Sequence, residues 1–133
     1  MIRMGKREDA LLVLDDLLQL DDVLSCMLAR RDLGGVVPTK MKLKDTSFWN
    51  IVKESTSQVF PIIEKFFLYK VERINLELGE YMIIFAPITK TYSLLVIIPA
   101  LSNMGLIDVE IENTKRKIKA ILDRKEDDSS SSI

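Results

Sequence analysis

Histidine is absent from the 133 residues, and cysteine occurs once, at Cys26. Without an imidazole there is no histidine base for a serine or cysteine nucleophile and no histidine metal triad. With a single thiol there is no cysteine-rich zinc or cluster site. Carboxylate or lysine chemistry alone would remain, and the expectation is a chain that is not an enzyme. A lone cysteine cannot close an intramolecular bridge, so nothing asks for an oxidising compartment. Cys26 lies inside an apolar stretch and reads as a small buried hydrophobe.

An excess of one charge is missing as well. Lysine and arginine number 19 against 20 aspartates and glutamates, a net charge of −1. The whole-molecule field therefore offers no steering toward a phosphate backbone, and no nucleic acid is expected as a partner. Long apolar runs are also lacking: Leu94 to Ile98, continued past Pro99 to Leu101, falls far short of the ~20 residues of a membrane-spanning helix. The basic start, Met1 to Arg7, is followed by Glu8, Asp9, Asp15 and Asp16, which leave too short an apolar stretch for a secretion signal. A cytoplasmic protein with no membrane span is expected. Gly34-Gly35 has neither the Lys-Ser/Thr of a phosphate loop nor G-x-G-x-x-G spacing, and reads as a turn. The acidic pairs Asp15-Asp16, Asp21-Asp22 and Asp127-Asp128 lack calcium-loop spacing and read as a solvated helix face, a helix stop and part of a tail. No metal or cofactor is expected.

What is present is enough apolar material for one core. At 15.2 kDa and 47% hydrophobic residues, the chain can bury about two-thirds of its unfolded surface without staples. One domain over residues 1–123 is expected, followed by a polar, serine-rich tail over 124–133 that should be mobile. A first helix spans roughly Lys6 to Leu20, with Ala10, Leu14, Leu17 and Leu18 on one face. Val23 to Ala29 and Val36 to Met41 read as two strands around a glycine turn, with Pro38 assigning the second to an edge. After the cap signal Asp45-Thr46-Ser47 comes a second helix. Val71 to Leu78 alternates strictly, with Ile74, Leu76 and Leu78 on one face and Arg73, Asn75 and Glu77 on the other, as a half-exposed strand does. Gly79-Glu80 forms a tight turn into two strands, Tyr81 to Ala86 and Tyr92 to Ile98, apolar at nearly every position and so covered on both faces. Ser102 or Asn103 caps a last helix in which acidic residues come early and Lys115, Arg116, Lys117 and Lys119 late, complementing the helix dipole. The fold class is α+β: a five-stranded, mostly antiparallel sheet with helices on both faces, in the order αββαβββα.

The second helix carries more apolar surface than one sheet requires. At 100° per residue, Phe48, Trp49, Ile51, Val52, Val59, Phe60, Ile62, Ile63, Phe66 and Phe67 fill an arc of about 180°, against the roughly 100° stripe of a helix packed on one surface. Either the sheet or its loops wrap the flanks, or a second protein covers part of the arc. Exposed apolar patches of this size mark association more often than not, which favours the partner. Trp49, Phe60 and Phe67 line one border. Ser55 and Thr56 lie within the arc, where small side chains would let another helix approach. The half-exposed strand that follows offers an unpaired edge, with Arg73 and Asn75 on its polar face. Trp49, Ser55, Thr56, Phe60, Phe67, Arg73 and Asn75 are thus the candidate interface residues.

In order and spacing, these elements resemble the roadblock family, the dynein-light-chain and small-GTPase-regulator domain. Val23 to Asp32 is similar to the family's first strand and turn, Val71 to Pro87 to its central hairpin, and Ser102-Asn103-Met104-Gly105-Leu106 to the start of its last helix. The long final helix resembles the prokaryotic, polarity-regulator branch. The resemblance implies a non-catalytic dimer, with itself or a roadblock paralogue, in which second helices pair and third strands join two sheets. It further implies binding to a small Ras-like GTPase. The rival reading is a longin- or profilin-like monomeric adaptor in trafficking or cytoskeletal assembly.

Overall fold

In the computed structural model, which describes residues 5–32, 34–38 and 46–124, the two most apolar segments become neighbouring central strands. They are β4 (Tyr81–Pro87) and β5 (Tyr92–Pro99), paired antiparallel from Tyr81 opposite Pro99 to Pro87 opposite Ser93. On the far side of β5 lies β1 (Ser25–Arg30), followed by the two-residue β2 (Gly35–Val36); on the far side of β4 lies β3 (Ile74–Leu78). The sheet order is β2-β1-β5-β4-β3, and every pairing is antiparallel. The α+β class with a five-stranded antiparallel sheet is as the sequence implies. β2 is shorter than expected at its described end, and residues 39–41 of the predicted strand lie outside the described residues. Its edge position agrees with Pro38.

Because side chains alternate across a strand, β4 and β5 feed two separate cores. Ile84, Ala86, Leu94, Val96 and Ile98 join Cys26 and Leu28 of β1 beneath α1 (Lys6–Leu18) and α3 (Met104–Leu122). Ile83, Phe85, Leu95 and Ile97, with Ala29, face the other way, toward α2 (Thr46–Phe66). From Ser93 to Ile98 every residue is buried, the full coverage that the uninterrupted apolar run requires.

Helix ends follow local chemistry. α3 starts at Asn103, whose side-chain oxygen accepts the Gly105 N–H at 2.9 Å. α1 stops at Leu18, two residues before the predicted end. Its first turn holds Glu8 and Asp9, favourable at the positive end of the dipole, and Asp9 also meets Arg124 at 2.6 Å. That ion pair and the Lys6 ammonium on the Leu122 carbonyl, 3.3 Å away, fasten α1 to the end of α3. Residues 125–133 of the predicted tail lie outside the described residues.

The β1–β2 turn depends on two residues. Asp32 accepts from Arg30 Nε at 2.8 Å and from the Gly34 N–H at 3.0 Å, and those contacts, the arginine first, hold its carboxyl below the usual carboxylate range. Gly35 follows at φ +128°, where a Cβ would stand 2.1 Å from the Leu28 carbonyl oxygen, so only glycine fits.

Cys26 is fully buried, as expected. Burial first, and the nearby Asp15 charge second, push its thiol up to about 12, and Sγ contacts the Leu14 carbonyl at 3.4 Å. The thiol is therefore expected to resist an aqueous thiol reagent near pH 8 in the native chain and to react at once in denaturant, as followed by absorbance. Its raised pKa also means that stability is kept below the unfolded thiol's pKa and falls as pH rises from there toward 12. In the opposite core, Phe85→Ala should cost about 3–5 kcal/mol in denaturant unfolding.

Candidate partner interface

The two faces of the sheet are covered unequally. Five strands about 4.8 Å apart span roughly 20 Å, and a helix is about 10 Å across. α1 and α3 together match that width on one face; among the described residues, α2 meets the other face alone. The shortfall is visible on β3, where Ile74, Leu76 and Leu78 point toward the α2 core yet stay only half-buried.

Around α2, the buried positions are Phe48, Val52, Thr56, Val59, Phe60 and Ile63. Phe48 stacks at 4.9 Å on Tyr81 of β4, which places that edge of the buried arc on the β4–β3 side. On the opposite edge, Arg31 at the end of β1 meets Glu64 at 2.7 Å, and Trp49 lines an apolar cavity of about 310 Å³ with Met27, Ala29 and Val37. The border holding Trp49, Phe60 and Phe67 thus turns toward β1 and β2.

The apolar residues left in solvent run along the other border. Ile51, Ile62 and Phe66 are 48%, 45% and 43% exposed. With Ser55 and Gln58 between them they recur every three or four residues, which at 100° per residue is a single seam on the flank nearer β3. β3 is last in the sheet order, and Asn75 and Glu77 are exposed on it. A seam of exposed apolar residues interleaved with Ser55 and Gln58 therefore lies beside a strand whose outer edge is unpaired among the described residues.

Each candidate residue has a definite place. Phe60, 1% exposed, belongs to the chain's own core, and so does Thr56, whose Oγ1 donates to the Val52 carbonyl at 2.8 Å. These two correct the expectation of an outward-facing border: the aromatic side of the arc is the one the sheet takes. Trp49 and Phe67 are half-buried and pack on the same core, with Lys90 Nζ 6.0 Å from the Phe67 ring centre. Ser55 is half-exposed within the seam, and Asn75 is exposed on β3. Arg73 binds Asp108 and, at 2.9 Å, Glu112, tying the start of β3 to α3. Burial works against its charge, but the two carboxylates outweigh it and hold its pKa up. Ile51, Ile62 and Phe66 were in the predicted arc without being singled out. The polar Ser55 and Gln58 interleaved with them were the available signal that this border meets water.

Solved structures share the arrangement. The Roadblock/LC7 domain from Streptomyces avermitilis matches with a TM-score of 0.63 at 14% identity, covering 84% of this chain and 95% of that one. Myxococcus xanthus MglB matches at 0.70 and 12% identity over 96% of this chain and 99% of its own. MglB with tetrameric arrangement matches at 0.68 and 13% over 91% and 93%. No protein-family model and no curated protein matches the chain. The fold is that of the Roadblock/LC7 domain, as the resemblance read from the sequence implies. Among the described residues no helix is long and apolar enough to cross a membrane.

Replacing Arg73 by alanine should cost about 1 kcal/mol, since both its partners are half-exposed, and should loosen the start of β3. Amide exchange at Ile74 and Asn75 would report the second effect.

Proposed function

We propose that the chain is a non-catalytic regulator that pairs with a second copy or a roadblock paralogue and docks a small Ras-like GTPase in the cytoplasm, modulating its nucleotide state without donating catalytic groups. Residues 1–123 act as one domain in this reading. The observation that carries it is the exposed Ile51–Ile62–Phe66 seam beside the open β3 edge. Seam against seam, with Ser55 allowing close approach, two α2 helices would together span the face that one covers incompletely, and β3 against β3 would continue the sheet. The match to MglB with tetrameric arrangement supports self-association, and the roadblock fold supports the regulator class. The longin- or profilin-like monomer needs α2 covered by its own chain, and the exposure of the seam weighs against it.

Light scattering at roughly tens of micromolar should give a dimer mass, and a strictly monomeric species would overturn the pairing. Ile62→Glu should yield a folded monomer, because the charge lands on the seam. Phe60→Glu should unfold the chain, because the charge would be buried without a partner. Circular dichroism separates the two outcomes. Capture of small GTPases from the same genome, loaded with GTP or GDP, tests the partner: a folded dimer that retains none in either state would remove the GTPase from the proposal.

A further inference from the structure

The end of the domain where α2 stops carries large apolar side chains in solvent. After Phe66 the chain passes through a 3-10 turn, Phe67–Tyr69, and reverses at Lys70, whose φ of 59° lies in the left-handed region uncommon for a residue with a side chain. The reversal presents two adjacent side chains outward: Leu68 is 85% and Tyr69 81% exposed. Groups exposed to that degree stand clear of the surface. The Tyr69 ring lies 6.2 Å from that of Phe66, so the tip has an aromatic base.

Three lysines surround it. Lys65 Nζ lies 5.6 Å from the Phe66 ring centre, Lys90 reaches over Phe67 from the β4–β5 turn, and Lys70 is the reversal residue itself. Among the described residues none of the three ammonium groups has a carboxylate within ion-pair distance. Among the described carboxylates, Glu64 is held by Arg31, Asp32 by Arg30, and Asp108 and Glu112 by Arg73, while Glu72 is exposed two residues beyond Lys70. The free charge is thus mainly positive, on a molecule whose net charge is −1.

We propose that this tip docks the protein on an anionic lipid surface, Leu68 and Tyr69 entering the headgroup boundary and Lys65, Lys70 and Lys90 meeting acidic headgroups. The chemistry fits a bilayer interface, where an aromatic with a polar end sits at headgroup depth and lysine stems lie along apolar surface with their charges in water. It fits a protein partner less well. Binding hot spots lie in packed, water-excluding patches, whereas Leu68 and Tyr69 project from the surface, 85% and 81% exposed. The tip shares Phe66 with the seam and lies past Ile51, Ser55 and Ile62, so particle mass is read beside vesicle binding to keep pairing and docking apart.

The test is co-sedimentation of the full chain with phosphatidylcholine vesicles, either pure or carrying about a third phosphatidylserine, at low and physiological salt. Binding is expected to the anionic vesicles, weakened by salt, and not to the neutral ones. The double variant Leu68→Ser, Tyr69→Ser should bind at least tenfold more weakly. Lys65→Gln, Lys70→Asn and Lys90→Gln should each lower binding about fivefold, asparagine being chosen at position 70 because it tolerates the left-handed backbone. Circular dichroism and particle mass should stay those of the parent, since all five side chains are solvent-facing. The proposal is overturned if the chain does not sediment with anionic vesicles, if it sediments equally with neutral ones, or if the Leu68, Tyr69 variant binds as the parent does. It is equally overturned if that variant loses a captured GTPase while vesicle binding is absent, which would make the tip a protein-docking site.

Discussion

Two central strands that are apolar on both faces impose the rest of the structure, because each face must be dried by something else. β4 and β5 cannot sit at an edge or under a single layer: Ile84, Val96 and Ile98 need a cover on one side, and Ile83, Phe85, Leu95 and Ile97 on the other. Among the described residues, three α-helices serve two faces and cannot divide evenly. The doubled layer of α1 and α3 closes its face, and α2 leaves its own face partly wet at β3. The exposed seam on α2 and the half-buried inner side of β3 are therefore two expressions of one geometric shortfall.

Much of this was legible in the residues. Strict alternation over Arg73 to Leu78 and continuous apolarity over Leu94 to Ile98 distinguish a half-covered strand from a doubly covered one, because the pleat fixes which side chains share a face. The α2 arc was legible as too wide. Which border of it would be buried was not, because helix periodicity describes the helix and not what stands on either side. Phe60 and Thr56 look, by angle alone, as eligible for an outer surface as Ile51 and Ile62. Only the position of β1, with Met27, Ala29 and Arg31, settles that Phe60 and Thr56 turn inward. The short β2 and the exact stop of α1 are end effects, decided by which backbone groups find partners in the assembled sheet.

Charge is arranged with the same economy. Arg73 joins β3 to α3 on the face opposite α2, so the edge strand is gripped on one side while its inner side chains wait half-covered on the other. Arg30 and Asp32 stabilise the first turn, and Arg124 and Asp9 fasten the first helix to the last. Lys65, Lys70 and Lys90, which among the described residues have no carboxylate within ion-pair distance, lie where α2 ends.

The strand order has a consequence for how the molecule comes into being. β1 pairs with β5 across separations of 62 residues, from Arg30 to Tyr92, up to 72 residues, from Ser25 to Ile97, while β3, β4 and β5 form a local meander. The chain segment that unites the sheet is thus the last strand to be synthesised. Until Pro99 has left the ribosome, β1 lacks the central strand it pairs with and α2 has β4 but not β5 beneath it, and loop closure of this length slows the completion of both. The half that carries the exposed α2 seam is made first and completed last, which leaves a nascent α2 open to wrong contacts before its sheet is complete.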